Sequence, residues 1–78
     1  MNNVILGKRA EKFLERLPVK DRARILRAAY KLPHGDVSTI KGRPGEFRLR
    51  IGDWRIIFEH RGNEIFVKEI GNRGDIYK

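Results

Sequence analysis

The chain is expected to fold as an α+β two-layer domain in the order β-α-α-β-β-β, and three observations predict it. Its apolar residues recur with the period of a helix between residues 8 and 30, and with the period of a strand from residue 46 onward. Proline and glycine crowd the stretch between the two regimes, at Pro33, Gly35, Gly42, Pro44 and Gly45. A chain of 78 residues buries only about 60% of the surface its unfolded form exposes, which supports one compact core and no second. Residues 1–78 are therefore expected to form a single domain. Helices should cover one face of its sheet and leave the other open.

The elements follow in order. Asn3 to Leu6 is a short β-favouring run that Gly7 ends, and this strand should join the sheet. Ala10, Phe13, Leu14 and Leu17 then fall at i, i+3, i+4 and i+7, the apolar stripe of a helix. Pro18 breaks that helix and suits the first turn of another. Val19, Ala23, Leu26 and Tyr30 make the second stripe, which Pro33 and Gly35 stop. Residues 33–45 form a loop, long for a domain of this size, and basic through Lys41 and Arg43. Beyond it, Phe47, Leu49 and Ile51 alternate with Glu46, Arg48 and Arg50, as in a half-buried strand. Gly52-Asp53 suits a two-residue type II′ turn, and Trp54 to His60 returns antiparallel. A turn at Arg61-Gly62-Asn63 and a strand from Glu64 to Ile70 complete a three-stranded meander. The expected core is Phe13, Leu14, Leu17, Leu26, Tyr30, Phe47, Leu49, Ile51, Trp54, Ile56 and Phe58.

Composition narrows the function. Without cysteine there are no disulfides, cysteine zinc sites, iron–sulfur clusters or thiol nucleophiles. No apolar run is long enough to span a membrane, and the N-terminus lacks the order of a signal peptide. A soluble, cytoplasmic protein is expected. Eighteen Lys and Arg against ten Asp and Glu give a net charge of +8. Both halves of the chain carry the excess, so folded elements rather than a tail must present it. Such a surface attracts polyanions, of which nucleic acid is the commonest in a cell. The plain alternative is a basic surface that serves only solubility.

Strand alternation sharpens the charge into a site. If Phe47, Leu49, Trp54, Ile56 and Phe58 face the helices, then Arg48, Arg50 and Arg55 share the open face. Like charges on adjacent strands repel, so the cluster calls for anions. Glu46 and Glu59 could supply them internally. A ligand phosphate would do so externally, because the planar guanidinium fork matches phosphate bidentately. Arg73 after the last strand and Tyr77 near the end of the chain add a fourth cation and a ring able to stack on a nucleobase. Neither His34 nor His60 falls with the arginines, and no histidine pair has metal-ligand spacing. No metal or cofactor is expected.

These residues resemble a known family. The block from Ile40 to Phe58, with Lys41-Gly42, then Phe47-Arg48-Leu49-Arg50, Gly52-Asp53 and Trp54-Arg55, is similar to the central block of the RelE/ParE toxin superfamily. The helical segment from Lys12 to Pro18 and the ending Ile70-Gly71-Asn72-Arg73 with Ile76-Tyr77 match as well. The resemblance spans essentially the whole chain. It implies a RelE-like fold and the toxin of a type II toxin–antitoxin system. RelE-like members cut mRNA, usually at the ribosome and without a metal, by attack of the ribose 2′-hydroxyl on the adjacent phosphate. A cognate acidic antitoxin restrains them in a hetero-oligomer. By that likeness Arg48, Arg50, Arg55, Arg73 and Tyr77 would be catalytic, and Lys41, Arg43, Arg48 and Arg55 would hold RNA. Arg50 stands where the well-studied branch has a lysine. An arginine stays protonated near neutral pH, so the proton acceptor would be another group, such as Glu46, Glu59, Asp75 or Tyr77. A ParE-like inhibitor of DNA gyrase without nuclease activity and a non-enzymatic RNA-binding domain are the competing expectations.

Overall fold

The computed structural model describes residues 3–72. The elements are β1 (Asn3–Leu6), α1 (Lys8–Glu15), α2 (Val19–Ala29), β2 (Asp36–Thr39), β3 (Glu46–Ile51), β4 (Trp54–Arg61) and β5 (Glu64–Asn72). The five strands form one mixed sheet in the order β1-β5-β4-β3-β2. The expected meander is β3-β4-β5, antiparallel throughout. The first strand joins its far edge parallel to β5, and the two helices carry the chain from there to the opposite edge of the sheet. At the β3–β4 turn Gly52 has φ +57°, while Asp53 does not share the positive φ, the pattern of a II′ turn rather than I′. Among the described residues no helix is long and apolar enough to cross a membrane.

Both helices lie on one face. Ala10 and Leu14 of α1 and Ile25 and Ala29 of α2 bury against Leu49, Ile56, Phe58, Ile65, Val67 and Ile70. The rings of Phe47 and Phe58, cross-strand partners, stack 5.6 Å apart. Phe13 of α1 meets Trp54 edge-on at 5.8 Å.

Two expectations fail, each for a physical reason. The stretch 33–45 is not all loop, because Asp36–Thr39 pairs antiparallel with β3 and forms the sheet's other edge. Only Val37 in this strand is a large apolar residue, so no alternation marks it, and a short polar strand is what an exposed sheet edge tolerates. The second error is the rotation of α2. Val19 and Tyr30 are 73% and 60% exposed, while Ile25, outside the expected stripe, is fully buried. On the same side as Ile25, Arg22 reaches back to the end of α1, where its Nε and Nη2 donate to the Leu14 and Leu17 carbonyls at 3.1 and 3.2 Å. Those acceptors lie at a helix end that Pro18 prevents from continuing, where the Leu14 carbonyl also accepts from the Leu17 N–H at 3.1 Å. The inward side of α2 is thus part apolar and part cation, and a purely hydrophobic count selects a stripe of which Leu26 packs against the core while Val19 and Tyr30 do not.

Candidate functional site

The face that the helices leave bare carries the arginines where alternation put them. Arg50 and Arg55 are direct cross-strand partners, and Arg48 stands opposite Ile57. Ile57 is 1% exposed yet lies outside the core that the helices cover, so it forms an apolar floor between cations. Apolar surroundings strengthen every electrostatic interaction beside them.

Each arginine is held differently. Arg48 donates from Nε and Nη2 to Ser38 Oγ at 3.2 and 3.0 Å. Arg50 Nε lies 3.5 Å from Asp36 Oδ2, both groups well exposed. Arg55 is 6% exposed, and its Nη1 donates to the carbonyls of Gly52 and Trp54, each at 2.9 Å. Both holders from β2 sit in register with what they hold, Ser38 opposite Arg48 and Asp36 opposite Arg50. The strand absent from the sequence reading is therefore the one that orients the cluster. The two carbonyls that hold Arg55 carry no net charge, so those contacts orient its guanidinium without neutralising it.

The expected internal counter-ions pair elsewhere. Glu46 and Glu59 face each other across β3 and β4, a like-charge pair that needs a cation between them. Lys68 supplies it, with Nζ 3.5 Å from Glu46 Oε2 and 3.7 Å from Glu59 Oε1. Arg43 approaches Glu46 Oε1 at 3.7 Å without a hydrogen bond, and Arg61 meets Glu59 Oε2 at 3.2 Å. Lys68 reaches this face through a β-bulge, since β5 gains one residue relative to β4 between Ile57 and Phe58. The signal was present in the spacing Ile65-x-Val67-x-x-Ile70, where a step of three interrupts a step of two. All three of those apolar residues are buried in the core.

The remaining candidates scatter. Lys41 and Arg43 are exposed in the turn between β2 and β3, and only Arg43 touches the charged network described above. His34 is exposed beyond α2. His60 pairs with Ile65 on the helix side of the sheet, away from the arginines. Arg73, Asp75 and Tyr77 lie outside the described residues.

The comparisons with known proteins accord with this geometry. The family model of the ParE toxin of the type II toxin–antitoxin system parDE matches residues 4–77. No curated protein matches. Among solved structures, the RelE–RelB complex from Pyrococcus horikoshii OT3 is 26% identical with a TM-score of 0.76, covering 95% of this chain and 97% of that one. The RelB–RelE antitoxin–toxin complex from Methanococcus jannaschii is also 26% identical, with a TM-score of 0.74 and 94% of both chains covered. The RelBE2 toxin–antitoxin complex from Mycobacterium tuberculosis shares the fold at 19% identity, with a TM-score of 0.79 over 92% of this chain and 98% of that one. With its whole sheet and both helices matched and the family model running almost end to end, this chain belongs to the ParE toxin family of type II toxin–antitoxin systems, within the RelE/ParE superfamily.

Proposed function

We propose that this toxin is a cytoplasmic endoribonuclease that cleaves mRNA at the ribosome without a metal, and that an acidic antitoxin restrains it. The observation that carries the reading is Arg48, Arg50 and Arg55 side by side on the face that the helices leave uncovered. In the proposed reaction the ribose O2′ bonds to the adjacent phosphorus as the P–O5′ bond breaks. The products are a 2′,3′-cyclic phosphate and a 5′-hydroxyl. One proton leaves O2′ for a base and one is delivered to O5′. Arg48, Arg50 and Arg55 disperse the charge that builds on the phosphoryl oxygens, with Arg73 at the leaving oxygen and Tyr77 against a flanking base. Arg50 acts as a fixed charge, because a guanidinium does not give up its proton near neutral pH. The acceptor is one of Glu46, Glu59, Asp75 and Tyr77. Lys41 and Arg43 guide the RNA backbone. The archaeal relatives were solved as toxin–antitoxin complexes, which supports a cognate antitoxin here, and an acidic one suits a chain of net charge +8.

One second reading has its own observation. The matching family model is ParE rather than RelE, and Arg55 is buried with Nη1 on its own turn's carbonyls, which favours a gyrase inhibitor that cuts no RNA. Cell-free translation followed by primer extension separates the two. Wild-type protein should give codon-dependent cuts, and Arg48→Ala and Arg50→Ala should each slow cleavage by about 10²- to 10³-fold, the loss typical of one preorganised oxyanion donor. Arg55→Ala is a poorer test, since it also loosens the β3–β4 turn. Intact messages together with trapped gyrase–DNA complexes would replace the nuclease reading with the second one.

A further inference from the structure

At the end of the bare face remote from the arginines, two large apolar side chains stand in water. Phe66 is 41% exposed and Ile5 39%, and they are register partners on the parallel β1–β5 ladder. With Glu59, Arg61 and Glu64 they line a cavity of about 360 Å³. The site is built around the ring. Gly7 follows β1, and a side chain there would stand 3.0 Å from Phe66 Cζ and 2.9 Å from the Val67 carbonyl oxygen. The missing Cβ is what lets the ring edge lie against the chain.

The charges nearby differ from those around the arginines. Arg43, Arg61 and Lys68 stand against Glu46, Glu59 and Glu64, three of each sign, so this end is close to neutral. Beside Arg50 and Arg55 the described carboxylates are Asp36, 3.5 Å from Arg50, and Glu69, which stands opposite Ile57 and pairs with Arg9. A nucleic-acid strand laid along the face therefore meets a cationic stretch suited to phosphate and a neutral, aromatic one suited to a base. Phe66 is two strands and two residues from Arg48, about 12 Å by strand geometry. That is within reach of a nucleotide near the one held on the arginines.

We propose that this cavity is a nucleobase subsite, in which an unpaired RNA base stacks on the Phe66 ring and packs against Ile5. Glu64 and Glu59 accept hydrogen bonds from the base edge, and Glu59 keeps lone pairs for this while bound to Lys68 and Arg61. The Arg61 guanidinium, 86% exposed in its side chain, is free in space to lie over the base or meet its phosphate. The subsite rests on the RNA reading above and extends it to a second nucleotide.

The test measures binding of a short single-stranded RNA, alone and on programmed ribosomes, by wild-type, Phe66→Ala, Phe66→Leu and Phe66→Trp proteins. A set of oligonucleotides, each abasic at one position, is measured alongside. Phe66→Ala and Phe66→Leu should each weaken binding by about 5- to 150-fold, the range for one lost stacked base, and Phe66→Trp should retain it. One abasic position should weaken the wild type but not Phe66→Ala, the signature of two partners in one contact. Because Phe66→Leu keeps an apolar side chain over Gly7, full binding by that variant would mean packing rather than stacking, and would overturn the subsite. Equal binding by wild type and Phe66→Ala would remove the subsite and leave the RNA reading intact. If the wild type neither binds nor cuts RNA in either setting, the RNA reading itself fails. A loss confined to self-association or to partner-protein binding would reassign the patch to protein docking and overturn the proposal.

Discussion

Arg22 turns an apparent sequence defect, a cation on the inward side of a helix, into a link between helices. It spans from α2 to the Leu14 and Leu17 carbonyls, and in doing so reinforces the end of α1, where the Leu14 carbonyl also accepts from the Leu17 N–H at 3.1 Å. Hydrogen bonds involving a charged group contribute about 1.5–3 kcal/mol net. Arg22→Ala should therefore lower stability by about 2 kcal/mol. In a domain of this size that lowers the melting temperature by about 8–16 °C, at 4–8 °C per kcal/mol. Arg22→Lys should recover less than half, because an ammonium lacks the fork that spans two carbonyls three residues apart in sequence. Thermal melts of the three proteins check this, and a melting point unchanged in Arg22→Ala would show that the bridge contributes nothing. Arg55 follows the same logic at the β3–β4 turn, where Nη1 binds two carbonyls at once. The same side chain thus ties the turn and adds charge to the site.

At the scale of elements, α2 is apolar on two sides, and only one of them meets the sheet. Ile25 and Ala29 are buried, while Val19 and Tyr30 stand in solvent. Ile25→Ala should cost about 2–5 kcal/mol, as a large-to-small change in a closed core does. Tyr30→Ser should change stability by less than about 0.5 kcal/mol, as exposed substitutions usually do. Urea titrations of both variants decide between this orientation and the one that the Val19-Ala23-Leu26-Tyr30 spacing suggests, which reverses the ranking. The same contrast explains what sequence can disclose. The β3–β4 hairpin is legible because strict alternation and a glycine turn act together, and alternation alone places Arg48, Arg50 and Arg55 on one face. The strand β2 is illegible because its partner, not its own four residues, makes it a strand. With it, Asp36 and Ser38 drop out of any reading from pattern alone. Lys68 lies between the two cases, since its bulge leaves a mark in the apolar spacing of β5 that a fixed period of two overlooks.

Over the whole molecule, a net charge of +8 is spread along the sequence but sorted in space. On the bare face the arginine end is cationic, and the Glu46-Lys68-Glu59 end is balanced by its own ion pairs. This sorting makes salt a probe of position. For single-stranded nucleic acid the logarithm of affinity falls with the logarithm of salt concentration by roughly 0.7 for each phosphate neutralised. If Arg48 and Arg50 meet phosphates, Arg48→Ala should reduce the magnitude of that slope by about 0.7, and the double variant by about 1.4. Phe66→Ala should lower affinity at every salt concentration and leave the slope where it was, because stacking releases no counter-ions. RNA titrations across a salt series measure all of these slopes in one experiment. A slope that stays constant when both arginines are removed would mean that the RNA backbone does not run over them. The cationic end of the face would then be a feature of charge alone, and the cleavage chemistry would have to be sought on another surface.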